Sequence, residues 1–159
     1  MKRLESSVGL RTMGAILAVC CWCAAARAQS LAWVPLGSDG PSARASLAMA
    51  YDVDRGLSVI FGGVTALTPY THSGETWEWG SGAWTLRATT GPSGRSDHAM
   101  AYDSFRHETV LFGGQYGPTE IDTDETWVWN GTSWTQRMVS GPSAREGHRM
   151  VYDSARHVI

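Results

Sequence analysis

A block of about fifty residues recurs along this chain, and the recurrence limits the possible folds more than any other feature of the sequence. The motif Gly-Pro-Ser-Ala-Arg at 40–44 returns at 91–95, with Gly in place of Ala, and again at 141–145. Met-Ala-Tyr-Asp at 49–52 and Thr-Trp-Glu-Trp at 76–79 have counterparts at the same spacing. Periods of this size are typical of repeat architectures, in which each unit packs on its neighbours.

The first half of a repeat predicts two strands and a turn. In the second repeat, the apolar stretch 98–102 leads into a turn at Asp103, whose carboxylate can cap its own backbone. The segment 108–112 is rich in β-forming residues and stops at Gly113-Gly114. The pattern favours an antiparallel strand pair.

The second half predicts two more strands. Residues 125–129 place Trp127 and Trp129 on one face by the two-residue strand period. Asn130-Gly131 is a strong hairpin signal, and the returning strand starts at Trp134. No segment shows helical periodicity, so the sequence predicts an all-β protein with four short strands per repeat.

The order of these motifs resembles the kelch repeat, whose pattern is an arginine and often a histidine before an apolar strand, then a strand ending in Gly-Gly, then two spaced aromatic residues. Here the pattern consists of Arg95, His98, Phe112-Gly113-Gly114, Trp127 and Trp134. The resemblance covers nearly all of 33–159 and implies a β-propeller of four-stranded antiparallel blades. The first repeat departs from it, because Leu47 stands where later repeats have His98 and His148.

The resemblance also implies domain boundaries. We expect the last strand of a closing blade at 31–37, a first blade at about 44–88, a second at about 95–138 and part of a third at 145–159. Propellers close with roughly four to eight blades. The expectation is therefore an incomplete propeller, the N-terminal part of a longer product.

Residues 1–28 have the pattern of a secretory signal peptide. Lys2, Arg3 and Arg11 supply the positive start, residues 13–26 are an apolar run, and Ala26-Arg27-Ala28 is a cleavage motif. The apolar run is short for a transmembrane helix. We expect cleavage after Ala28, a mature segment 29–159 that is secreted, periplasmic or on the cell surface, and no membrane span after the signal is removed.

Cysteine use and charge exclude several functions for the mature segment. Cys20, Cys21 and Cys23 all lie in the signal peptide, so 29–159 has no disulfide, thiolate metal site or cysteine nucleophile. The same segment has nine arginines, no lysine and fourteen acidic residues, a formal charge of −5. This charge argues against a nucleic-acid partner.

Most recurring residues are interpreted as structural. Glycine reaches positive φ at tight strand exits, tryptophans pack between blades, and a recurring arginine suits a structural bidentate pair with Glu75 or Glu125. His98 and His148 are interpreted as structural histidines with satisfied hydrogen bonds, and we expect no metal, cofactor or catalytic residue here. The structural motif comprises Gly62, Gly63, Gly113, Gly114, Trp77, Trp84, Trp127, Trp134, Arg44, Arg95 and Arg145.

Function is expected in the loops, because the repeats are near-copies in their strands and diverge at 64–74 and 115–124. The predicted ligand contacts are Tyr70, His72, Tyr116 and Glu120. One hypothesis is a scaffold that binds a protein, peptide or glycan through these loops. The alternatives are a secreted carbohydrate-active or copper-oxidase-like enzyme with catalytic residues beyond 159, and a structural segment of a larger surface protein.

Overall fold

The computed structural model describes residues 39–159, and this part of the chain is all-β with no helix, which confirms the all-β character predicted from the sequence. None of its segments is a helix long and apolar enough to cross a membrane. The predicted signal peptide and the predicted strand at 31–37 lie outside the described residues. The strands are β1 (Ala48–Asp52), β2 (Leu57–Phe61), β3 (Val64–Leu67), β4 (Tyr70–His72), β5 (Thr76–Gly80), β6 (Ala83–Ala88), β7 (Arg95–Ser96), β8 (Ala99–Asp103), β9 (Glu108–Phe112), β10 (Gln115–Tyr116), β11 (Ile121–Asp122), β12 (Thr126–Trp129) and β13 (Trp134–Arg137).

Two four-stranded antiparallel sheets have the same topology. Sheet 1 has the order β1-β2-β5-β6, and sheet 2 has the corresponding order β8-β9-β12-β13. Their registers also match: Tyr51, Ser58, Trp79 and Trp84 form one row across sheet 1. The corresponding row of sheet 2 is Tyr102, Thr109, Trp129 and Trp134.

Because side chains alternate across a strand, each sheet has two distinct faces. The tryptophan face carries the row just described, and the acceptor face of sheet 1 carries Thr76 and Glu78. The tryptophan face of sheet 2 packs on the acceptor face of sheet 1. Their shared core is Ala50, Val59, Phe61, Met100, Tyr102, Leu111 and Trp129.

The Gly-Gly motif ends the second strand of each sheet for a steric reason. Gly62 has φ +73°, and a Cβ there would lie 2.4 Å from the Arg95 carbonyl oxygen. Gly113 has φ +69°, and a Cβ there would lie 2.7 Å from the Arg145 carbonyl oxygen. The arginine segment of the next repeat therefore passes too close for any side chain.

The divergent segments contain strands where the sequence analysis expected loops. β3 and β4 form a hairpin, and β10 pairs with both β11 and β7. The backbone of Gly-Gly places these hairpins: the Gly63 N–H donates to the Arg95 carbonyl, and the Gly114 N–H donates to the Arg145 carbonyl. Both hairpins therefore begin from the same backbone hydrogen bond, although their sequences differ.

The third repeat forms less regular structure than the first two. Within 145–159 the only strand-like pairing that the structure describes is a single antiparallel bridge between Asp153 and Val158. The segment nevertheless keeps the turn seen in the other repeats, because Asp153 Oδ1 accepts the backbone N–H groups of Ala155 and Arg156.

Candidate functional site

An arginine ties each of the first two repeats to its own Gly-Gly motif. Arg95 is 0% exposed, and its guanidinium donates to Glu125, to the Gly113 carbonyl and to Ser93. Burial raises the pKa of Glu125, but the Arg95 guanidinium and the Trp127 indole outweigh it and leave that pKa lowered. Because the guanidinium bonds three different partners, its role is structural. This arginine, its carboxylate and the Gly-Gly carbonyl are called the arginine latch.

The first repeat has the same latch. Arg44 donates to Glu75 at 2.7 Å and to the Gly62 carbonyl at 3.2 Å, and the Trp77 indole donates to Glu75 at 2.9 Å. In both repeats the ion pair uses one carboxylate oxygen, Oε2, and not the two of a bidentate pair, and the tryptophan indole donates to that same oxygen. Arg145, in the third repeat, donates to Ser143.

Three of the four predicted contact residues come together above the sheets. Tyr70 and His72, both on β4, make an edge-to-face ring contact with centroids 5.2 Å apart. Glu120 comes from the other hairpin, between β10 and β11, and interacts with the Tyr70 hydroxyl through its charge and a hydrogen bond. His72 and Glu120 thus reach one place from two consecutive repeats.

Desolvation and nearby carboxylates together set the electrostatics of this cluster. Desolvation raises the pKa of Tyr70, and the charges of Glu120, Asp97 and Glu146 raise it further. Desolvation lowers the pKa of His72, although Glu120 and Asp97 oppose that shift. The site therefore has a neutral imidazole and a phenol beside three negative groups.

Asp97 is a site residue that the sequence analysis missed. It has φ +55° and lies between the latch arginine and His98, as Ser46 and Gly147 do in their own repeats, both with positive φ. The Asp97 N–H donates to the Ser46 carbonyl at 3.0 Å, and the Gly147 N–H donates to the Asp97 carbonyl at 2.8 Å. An aspartate at a position that requires positive φ was the available signal, because aspartate tolerates that conformation.

The hydroxyl of Ser96 lies 3.2 Å from His72 Nε2, which resembles the nucleophile and base of a hydrolase. However, Ser96 is 0% exposed and part of β7. A nucleophile must reach its substrate, so this contact positions the imidazole of His72 rather than activating the serine.

A cavity of about 450 Å³ lies next to this cluster and shares Asp97 with it. Its polar lining comes from Ser46, Asp97, His98, His148 and Arg149, one end of three consecutive repeats. A volume of this size is in the range that holds small ligands. Asp97 therefore lines this cavity and also acts through its charge on Tyr70 and His72.

The rings of His98 and His148 each lie against an aromatic residue of the preceding repeat. The ring of His98 contacts Phe61 edge-to-face at 5.6 Å, and that of His148 contacts Phe112 at 5.4 Å. Burial, followed by the charge of Arg95, lowers the pKa of His98 to about 3. Neither ring forms a hydrogen bond within residues 39–159, and this part of the chain has no group of three or more metal-ligating side chains.

The remaining predicted residues lie outside the cluster. Tyr116 pairs with Arg95 and Ile121 through its backbone, and no described contact joins it to Tyr70. Trp127 and Trp134 pack on the core between the sheets. Trp77 and Trp84 are half-buried on the tryptophan face of sheet 1.

Comparison with known proteins adds no assignment to this geometry. No protein-family model matches the chain, and no curated protein matches it significantly. The functional argument therefore depends on the cluster itself.

Proposed function

We propose that the chain is part of an exported kelch-like scaffold that binds a peptide, protein or glycan through the hairpins β3–β4 and β10–β11. The observation that carries this proposal is the meeting of Tyr70, His72 and Glu120, which come from the segments where the two repeats diverge most. Binding residues on loops above a rigid scaffold are a common arrangement.

The two sheets support the architectural part of the proposal. They have the same order and register, and the first strands of both, β1 and β8, contribute Ala50 and Met100 to one core. We propose that they are blades of a kelch-type propeller, incomplete in this chain, that follows a signal peptide cleaved after Ala28.

The chemistry of the cluster suits a polar ligand rich in hydrogen-bond donors. Asp97, Glu120 and Glu146 have no arginine contact among the described residues, whereas Glu75 and Glu125 each bind one arginine and Glu78 binds two. Free carboxylates accept hydrogen bonds from the hydroxyl groups of a glycan or the amino groups of a peptide, and the Tyr70 ring offers an apolar surface.

Glycan and peptide arrays probed with the secreted protein test this proposal. We expect a set of ligands that the wild type binds and that the double variant Tyr70→Ala, Glu120→Gln does not bind. Met138→Ala is the control, because Met138 is 89% exposed and follows β13, which belongs to sheet 2 rather than to either hairpin. Binding that the double variant retains, or no binding by the wild type, would contradict the proposal.

A further inference from the structure

The tryptophan face of sheet 1 is uncovered by the described part of the chain, although the matching face of sheet 2 is covered. Tyr51 is 59% exposed and Met49 is 60% exposed. Their counterparts Tyr102 and Met100 are 9% and 7% exposed. The difference arises because sheet 1 itself covers sheet 2.

The covered face is held by three hydrogen bonds as well as by apolar contact. The Tyr102 hydroxyl donates to Asp54 at 2.6 Å. The Trp129 indole donates to Glu78 at 3.0 Å, and the Trp134 indole donates to Thr76 at 2.8 Å. Two carboxylates and one hydroxyl on sheet 1 therefore match three donors on sheet 2.

Sheet 1 presents the same three donors on its own tryptophan face. Tyr51, Trp79 and Trp84 have the register positions of Tyr102, Trp129 and Trp134. The ring centroids of Trp79 and Trp84 are 5.4 Å apart, close to the 5.6 Å of the covered pair. Within residues 39–159 these three donors have no acceptor.

The matching acceptors are absent from the other end of the described structure. On sheet 2 the positions of Glu78 and Asp54 are occupied by Val128 and Phe105, and only the hydroxyl remains, as Thr126. A second copy of this chain does not offer the set either, because its own Glu78 is 4% exposed and bound by Arg55, Arg87 and Trp129.

We propose that the tryptophan face of sheet 1 is a docking surface for a further four-stranded sheet that carries a carboxylate at each of the positions of Glu78 and Asp54 and a hydroxyl at that of Thr76. The partner is therefore a repeat of the sheet 1 type and not of the sheet 2 type. This inference concerns a different surface from the proposed ligand site and does not depend on it.

Insertion of an extra repeat tests the proposal in the full chain. In one protein, a copy of residues 40–90 is inserted before Gly40, so that its Glu78 and Asp54 face the original sheet 1. In the control protein, a copy of residues 91–140 is inserted at the same place and brings Val128 and Phe105 instead. The inserted copy, and not the original, carries Tyr51→Phe in the sheet 1 insert and Tyr102→Phe in the control insert. Nitration of Tyr51, followed by peptide mapping, therefore reports the original face.

We expect the sheet 1 insert to slow nitration of the original Tyr51 to the rate of the original Tyr102, while the control insert leaves it as fast as in the wild type. The urea dependence of unfolding shows whether each insert is folded, because a folded insert increases the m-value. Trp79→Phe in the original sheet 1 of the sheet 1 insert protein is the second arm. It removes the donor that the inserted Glu78 would accept, so it should restore nitration of the original Tyr51. Equal protection by both inserts would overturn the role of the carboxylates, and a reactive Tyr51 beside a folded sheet 1 insert would overturn the docking surface.

Discussion

At the scale of single residues, the clearest property is a buried histidine that is kept neutral. His98 is 4% exposed, and its burial is the main cause of a pKa of about 3. An unfolded histidine has a pKa of about 6.5. Between these values the unfolded chain binds one proton more than the folded chain, so the stabilisation is complete above about pH 6.5 and is lost as the pH falls.

We therefore expect the free energy of unfolding to fall on acidification from pH 6.5 towards pH 4.5, by up to about 1.4 kcal/mol per pH unit from His98. His98→Leu should reduce this slope, because leucine binds no proton. Leucine suits this position, since the first repeat has Leu47 at the equivalent place. Urea unfolding at several pH values measures it. A slope that remains the same in His98→Leu would assign the pH dependence to other groups, such as His148, whose pKa is also lowered by burial.

At the scale of structural elements, the turn between the first two strands of each sheet is held by an aspartate. Asp103 Oδ1 accepts the N–H groups of Phe105 and Arg106, and its Oδ2 pairs with the Arg106 guanidinium at 2.6 Å. Burial raises the pKa of Asp103, but these hydrogen bonds outweigh it and lower that pKa. The sequence analysis predicted this cap from residue type and position.

Asp103→Ala should lower the free energy of unfolding by roughly 1.5–3 kcal/mol, the usual range for hydrogen bonds to a charged group. Asp103→Asn should lose less, because its side-chain oxygen can still accept both N–H groups. Asp153→Ala removes the same turn cap at a more exposed position and should lose least, since exposed pairs stabilise little. Urea midpoints give the three values, and a loss from Asp103→Asn equal to that from Asp103→Ala would show that the ion pair matters more than the cap.

At the scale of the whole molecule, stability depends on which sheet covers which. Equivalent tryptophans have different surroundings: Trp129 is 1% exposed between the sheets, whereas Trp79 is half-buried on the uncovered face. The sequence analysis assigned all of these tryptophans to packing between neighbours. The structure places Trp127, Trp129 and Trp134 there, and places Trp77, Trp79 and Trp84 on the uncovered face of sheet 1.

Trp129→Ala should lower the free energy of unfolding by roughly 3–5 kcal/mol, because it leaves a large cavity in the core and removes a donor to Glu78. Trp79→Ala is the matched control and should lower it by roughly 1 kcal/mol, a common value for a point substitution. Thermal or urea unfolding of both variants measures the difference. Similar losses would mean that Trp79 is covered in solution by part of the protein outside the described residues.

Local sequence patterns predicted the four strands of each large sheet and the turns between them, but not the hairpins β3–β4 and β10–β11. Local rules suffice for these features: alternation in strands, Asn-Gly and aspartate at turns, and glycine where a neighbouring backbone comes close. For the same reason the sequence pointed to Tyr70, His72 and Glu120 only through their divergence, without saying that they meet.

Which of these residues come together depends on the way the sheets stack. The convergence of Glu120 with Tyr70, the part played by Asp97, and the pairing of Trp129 with Glu78 join residues about fifty positions apart. No local pattern encodes such contacts, because they depend on how one sheet stacks on the next. That stacking also makes one tryptophan face a core and leaves its near-copy exposed.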